Sequence, residues 1–178
     1  PQPGEPINFV IIGSDTRDGQ GSGFGGSQYL GSQRSDTTIL VHLSGDRKWA
    51  TAVSIPRDTY VKMPDCKKED GSISKGWSDK FNATYSRAGA ACVITTLEEI
   101  TGLYIHHYVE VNFKGFKNVV DALGGVSVCL TQAVDDKKSH LKLPAGWSTL
   151  TGKQAIAFVR ARKTLGDGSD ISRIRRQQ

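Results

Sequence analysis

The stretch from Gly31 to Asp58 constrains this chain most, because it reads as an apolar β-hairpin with charged residues clustered at its open end. Thr38-Ile39-Leu40-Val41-His42-Leu43 is the β-branched, apolar run of a largely buried strand, and Trp49 to Ile55 forms the return. Between them, Ser44-Gly45-Asp46-Arg47 has turn residues at its centre. A glycine in the first central position predicts a type II′ turn. Ser44 then pairs with Arg47, and the same register places Arg34 opposite Arg57. Two guanidiniums facing each other across neighbouring strands repel. Such an arrangement needs an anion between the two arginines, or carboxylates interleaved with them. Asp36 and Asp58 offer the second, and a phosphate would offer the first. The simpler reading of the same residues is a solvated salt-bridge cluster at a sheet end.

The chain has 178 residues, 37% of them apolar, which is enough for one well-buried core and forces no second domain. A formal charge of +5 favours an anionic partner, whether nucleic acid, an anionic membrane surface or a phosphorylated substrate. Aromatic residues are too few and scattered for a base-stacking platform, which argues against nucleic acid. Cys66, Cys92 and Cys129 lie far apart, with no Cys-x-x-Cys pair and no histidine at zinc-ligand spacing. One disulfide with a thiol left over suits an exported chain, and three buried thiols suit a reducing compartment. No apolar run approaches a membrane span and no signal peptide opens the chain. The first six residues, Pro1-Gln2-Pro3-Gly4-Glu5-Pro6, read as a linker from a missing N-terminal segment into a single domain over residues 7–178, whose C-terminus stops inside a helix.

Taken in order, Ile7 to Ile12 is an apolar strand that Gly13-Ser14-Asp15 ends, and Thr16 to Gln33 is a Gly- and Ser-rich loop. Because that loop joins the first strand to the hairpin, Asp15 and Asp36 can meet at one end of the sheet. Two carboxylates there suit Mg²⁺, which completes its shell with phosphate oxygens and water. Gly21-Ser22-Gly23-Phe24-Gly25-Gly26 fits the dinucleotide fingerprint formally but has no helix after it, so it is set aside. Pro64 to Asp79 reads as a loop ending at Lys80-Phe81-Asn82. Ala83 to Thr101 is an amphipathic helix closed by Gly102. Lys80 thus precedes a helix N-terminus, where ammonium and free N–H groups both attract anions.

His106 to Val111 alternates as a strand, with its two adjacent histidines on opposite faces and hence structural. Phe113 to Leu123 is a second helix, Gly124-Gly125 closes it, and Val126 to Leu130 is a strand. Strand, helix and strand predict a β-α-β crossover with parallel pairing. Asp135-Asp136-Lys137-Lys138 reads as a solvated loop, and Leu141 to Leu150 as an irregular connection. A helix beginning at Thr151 is predicted to stop near Phe158, so that Arg160 and Arg162 point to one side of an extended chain as a fork for phosphate oxygens. Asp170 to Gln178 reads as a basic helix start docked through Ile171 and Ile174.

Several of these stretches resemble the signature blocks of the LytR-CpsA-Psr family, membrane-anchored bacterial enzymes that attach glycopolymers to the cell wall. They are Gly13-Ser14-Asp15-Thr16-Arg17, Arg34-Ser35-Asp36-Thr37, Ser54-Ile55-Pro56-Arg57-Asp58-Thr59, Lys80-Phe81-Asn82, Leu123-Gly124-Gly125-Val126 and Val159-Arg160-Ala161-Arg162, followed by Asp170 through Arg173 to Arg176-Gln177-Gln178. The blocks fall in family order from Asn8 to Gln178, and their style is most similar to actinobacterial members. The resemblance implies a three-layer α/β/α sandwich on a mixed central β-sheet, with an apolar tunnel for a polyprenyl chain. It also implies an extracytoplasmic domain of the cell envelope held at the membrane through an N-terminal anchor.

By the same resemblance, Asp15 and Asp36 hold Mg²⁺ or Mn²⁺, and Arg34, Arg57, Lys80, Arg160, Arg162, Arg173 and Gln177 bind the lipid pyrophosphate. The implied reaction moves a glycan phosphate from a polyprenyl-pyrophosphate carrier to a sugar hydroxyl of peptidoglycan. Its partners are that lipid-linked glycan and the peptidoglycan acceptor, with no nucleic acid. Arg57 stabilises developing charge, and Asp58 or Asp170 takes the hydroxyl proton. A pyrophosphatase that uses water as acceptor and a non-catalytic binder of lipid pyrophosphates are the competing readings. The Gly-rich segment between Asp15 and Asp36 looks longer than the family's usual loop.

Overall fold

The structure is a computed structural model, and it describes residues 2–14, 35–137 and 139–161. The Gly-rich loop of residues 16–33 and the basic helix start of residues 170–178 therefore lie outside the described residues. The chain forms two compact units, Pro1–Asn112 and Phe113–Gln178.

The first unit is built on a four-stranded sheet. Strands β1 (Ile7–Ser14), β2 (Ser35–Leu43) and β3 (Ala50–Ile55) are followed by two small ladders, β4 (Tyr60–Lys62) with β7 (Ser78–Lys80) and β5 (Cys66–Lys67) with β6 (Ile73–Ser74). Helix α1 (Ala83–Thr101) and strand β8 (His107–Val111) complete it. The sheet order is β3-β2-β1-β8. The pairs β1–β2 and β2–β3 are antiparallel and β1–β8 is parallel, so the sheet is mixed. Alternation along β1 sends Val10 and Ile12 fully into the core. There they meet Leu40, Val61, Phe81, Tyr85, Val93 and Leu97. Fully burying side chains of this size contributes roughly 1.5–3 kcal/mol each.

The hairpin forms as expected, but with a different loop. Ser44 N–H donates to Trp49 O and Arg47 N–H donates to Ser44 O, each at 3.0 Å, so residues 45–48 form the loop and Arg47 takes a left-handed φ of 60°. Register consequently runs Leu43 to Ala50 and Thr38 to Ile55, two residues away from the type II′ expectation. Gly45 serves close approach instead of a special turn: a Cβ there would lie 2.1 Å from Gly4 O.

Helix α1 has the predicted span and ends on Gly102, whose φ of 68° lets its N–H reach Glu98 O. It is kinked at Ala88 and Gly89, where Gly89 adopts φ 64°. The expected loop from Pro64 to Asp79 instead carries the β5–β6 ladder and the start of β7, and a Cys66–Cys92 disulfide ties it to α1. Cys129 is the exposed free thiol. The structural reading of His106 holds: Asn8 N–H donates to its Nδ1 at 3.0 Å, and its own N–H donates to Asn8 O at 2.9 Å.

The second unit contains α2 (Phe113–Ala122), β9 (Val126–Leu130), β10 (Val134–Asp136), β11 (Leu141–Leu143), β12 (Gly146–Leu150) and α3 (Gly152–Arg160). Here the sequence expectation is corrected four times. The parallel neighbour of β8 is β1, whereas β9 pairs antiparallel with β12, so the β8-α2-β9 succession makes no parallel pair. The irregular connection expected from Leu141 to Leu150 contains two strands. Asp136, expected in a solvated loop, is buried in β10 and accepts from Ser139 N–H at 3.0 Å. Helix α3 starts with a Thr151–Gln154 capping box and runs to Arg160, two residues past the expected end. Gly152 N–H donates to Asp121 Oδ1 at 2.7 Å, joining the start of α3 to the end of α2. No helix of the described residues is long and apolar enough to cross a membrane.

Two predictions follow from these ties. Reducing the Cys66–Cys92 bond, which closes a separation of 26 residues, should lower the unfolding free energy by about 3 kcal/mol, read by urea titration with and without dithiothreitol. The Lys117 ammonium, then the Gly152 N–H, hold the Asp121 carboxyl below its ordinary 3.8. Its contribution to stability is therefore present above that pH and lost as pH falls through the lowered value. Melting temperatures of wild type and Asp121→Asn should differ at pH 6 and converge on acidification below pH 3.8.

Candidate functional site

The corrected hairpin register decides which charges meet. Extended two residues beyond Thr38–Ile55, it sets Asp36 opposite Arg57, and Arg57 Nη1 donates to Asp36 Oδ1 at 2.9 Å. The expected confrontation of Arg34 with Arg57 is not the register of this hairpin; Arg34 itself lies outside the described residues. Asp36 is also the extra residue of a bulge: Gly13 pairs with Thr37 and Ser14 with Ser35, which leaves Asp36 unpaired on the β1 side. A bulge re-aims the side chain it carries, and the contact that the Asp36 carboxylate makes here is with Arg57.

Beyond Arg57 the cluster continues. Its Nε donates to Asp58 Oδ2 at 3.3 Å, and Lys80 Nζ lies 2.8 Å from Asp58 Oδ1. The resulting chain, Asp36–Arg57–Asp58–Lys80, alternates in sign. Asp36, Arg57 and Asp58 are partly exposed, and Lys80 is 58% exposed. These residues are held by backbone. Asn82 N–H donates to Arg57 O at 2.9 Å and Phe81 N–H to Thr59 O at 2.8 Å, which extends the β4–β7 ladder to the cluster. Phe81, fully buried, anchors this corner in the core. Asn82 stands at the N-terminus of α1 without a side-chain cap.

The expected site residues therefore divide. Asp36, Arg57, Asp58 and Lys80 come together. Arg160 ends α3 in the second unit, exposed, with its guanidinium 5.7 Å over the Phe113 ring. Asp15, Arg34, Arg162, Asp170, Arg173 and Gln177 lie outside the described residues, so the arginine fork of Arg160 with Arg162 does too. Among the described residues no group of three or more His, Cys, Asp and Glu side chains could hold a metal. Asp36, with one carboxylate oxygen on Arg57, is one oxygen ligand of the kind Mg²⁺ takes. One residue beside the cluster was absent from the sequence expectations. Tyr60, the register partner of Lys80, is 73% exposed. Its signal was the alternation Asp58, Tyr60, Lys62 leading away from the charged block.

A match to the LytR_cpsA_psr family covers residues 1–178. This chain belongs to the LytR-CpsA-Psr family. Among its relatives, LcpB of Corynebacterium glutamicum is 36% identical over 96% of this chain and 39% of its own. TagU of Bacillus cereus, a polyisoprenyl-teichoic acid–peptidoglycan teichoic acid transferase, is 35% identical over 98% of this chain and 50% of its own. The structure of the family protein TagT with bound octaprenyl pyrophosphate lipid superposes with a TM-score of 0.67 at 28% identity, covering 99% of this chain and 62% of that one. The family fold, α/β on a mixed central sheet, is the fold described above. The chain spans about two fifths to one half of the length of these curated relatives.

The ion-paired cluster is too exposed to be a main source of stability. Arg57→Ala should cost no more than about 1 kcal/mol of unfolding free energy, measured by urea denaturation.

Proposed function

We propose that this chain is catalytic sequence of a phosphotransferase that moves a glycopolymer phosphate from a polyprenyl-pyrophosphate carrier to a sugar hydroxyl of peptidoglycan. The observation that carries this reading is the Asp36–Arg57–Asp58–Lys80 cluster, positioned by two ladders, in a family whose member TagT is seen with a prenyl pyrophosphate. TagU, a transferase between these two classes of molecule, supports the direction of transfer. The same relatives support a place in the cell envelope, and we extend this to the outer face of the membrane with an anchor outside this sequence.

In the transfer, the acceptor hydroxyl oxygen attacks the phosphorus that bears the glycan. The bond to the bridging oxygen breaks and polyprenyl phosphate leaves. Negative charge grows on the bridging and non-bridging oxygens, and fixed cations around them lower the barrier. Arg57 and Lys80 fill this role, with Arg34, Arg160, Arg162, Arg173 and Gln177 as further ligands of the pyrophosphate. The hydroxyl proton passes to Asp58 or Asp170. Asp58 has a cation on each oxygen, so it serves as base only by exchanging one of them for the hydroxyl.

Within the cluster, two cations and two carboxylates balance, which leaves little net attraction for a dianionic substrate. A divalent cation resolves this. Asp36 and Asp15 would hold Mg²⁺ or Mn²⁺, which supplies positive charge to the phosphate oxygens.

The reading is tested by turnover of a polyprenyl-pyrophosphate-linked saccharide, with and without Mg²⁺ and a peptidoglycan acceptor. Acceptor-dependent release of polyprenyl phosphate, lost without metal and in Arg57→Ala, is expected. Release into water alone would make the protein a pyrophosphatase, and binding without turnover would make it a carrier module. In calorimetry Mg²⁺ should tighten pyrophosphate binding by wild type and leave Asp36→Asn unmoved.

A further inference from the structure

The exposed face of the β4–β7 ladder is assigned no role by the transfer chemistry. Register pairs Tyr60 with Lys80 and Lys62 with Ser78. Strand alternation puts these four side chains on one face, while Val61 points into the core from the other. All four are exposed. Lys80, the register partner of Tyr60 on this face, carries the ammonium that pairs with Asp58, so the face borders the Asp58–Lys80 ion pair. Lys62 stands about 7 Å beyond Tyr60.

Two features of this face point to a ligand. The Tyr60 hydroxyl donates to Ser78 O at 3.2 Å, which lays the ring across the ladder with its outer surface in solvent. A ring fixed in this way loses little entropy on contact with a flat apolar surface such as one side of a pyranose. Lys62, unlike Lys75 and Lys80, has no ion-pair partner among the described residues. Its charge is available to a carboxylate. The face offers one aromatic ring and no aliphatic side chain, which suits a polysaccharide better than a lipid surface.

We infer that this face is the acceptor subsite, on which an anionic polysaccharide lies with a pyranose ring on Tyr60 and a carboxylate on Lys62, its next hydroxyl delivered to the Asp58–Lys80 end. The inference rests on the transferase reading for what it delivers, but its test does not. Soluble, uncrosslinked peptidoglycan strands are titrated into the protein without donor lipid, beside a neutral chitin oligosaccharide and phosphatidylglycerol vesicles. Tyr60→Ala should weaken strand binding about tenfold, equivalent to about 1.4 kcal/mol, whereas Tyr60→Phe keeps the ring and most of the affinity. Lys62→Gln should weaken the anionic strands and leave the neutral oligosaccharide unchanged.

Melting temperature and binding of a prenyl pyrophosphate should be unaltered in all three variants. Strand binding by Tyr60→Ala and Lys62→Gln equal to wild type overturns the assignment, and so does vesicle binding with the same dependence on Tyr60. Strand binding that depends on Tyr60 in a protein that neither binds nor turns over the lipid donor upholds the subsite and refutes the transferase reading instead.

Discussion

Strand β2 is hydrogen-bonded along both edges, to β1 and to β3, and its side chains at the open end take the positions that the two ladders leave them. On the β3 edge, a four-residue loop sets the register that brings Asp36 level with Arg57. On the β1 edge, a bulge turns the same Asp36 out of the regular pairing. Neither effect requires attraction between the charges. Partly exposed ion pairs of this kind contribute little to stability, so the backbone, and not attraction between the charges, places the cluster. The loop that controls this lies at the far end of the hairpin, where Gly4 presses on Gly45.

The excursion between Arg57 and Asn82 is the second frame of the site. It leaves the sheet at Pro56, doubles back on itself through the β4–β7 ladder, and is closed by backbone bonds from Phe81 and Asn82 to Thr59 and Arg57. Its outer part is too small to hold itself by burial, and the Cys66–Cys92 bond joins it to α1 beyond the Ala88–Gly89 kink. Arg87, whose guanidinium lies 3.0 Å from the centre of the Trp77 ring, adds a contact between the same two segments. The ladder that carries Tyr60 and Lys80 is thus braced at both ends, by core packing of Phe81 and by a covalent tie.

Much of this was legible in the sequence, for identifiable reasons. The β2–β3 hairpin, α1 from Ala83 to Thr101 and its Gly102 stop all rest on local patterns of period two or 3.6 and on cap residues, which need no distant partner. The family blocks were legible because they are short and ordered along the chain. Register was not, since a Gly-Asp pair is compatible with several loop lengths. The type II′ reading misplaced Arg57 by two residues, yet kept every side chain on its proper face because the error was even. Asp135 and Asp136 looked solvated because charge reads locally as exposure, whereas strand alternation puts Asp136 on the buried face of β10 with Val134 and leaves Asp135 exposed.

Amino-acid order by itself determined the helices, the longer strands of the first unit, the family and the residue types that cluster at the sheet end. It could not determine pairing. The choice of Cys92 over Cys129 for Cys66, of β1 over β9 as the parallel neighbour of β8, and of Asp36 as a partner of Arg57 all join residues distant in sequence. Each depends on how separate elements pack, because hydrogen bonds, disulfides and ion pairs act between atoms in contact, and local pattern carries no record of which distant segment makes that contact.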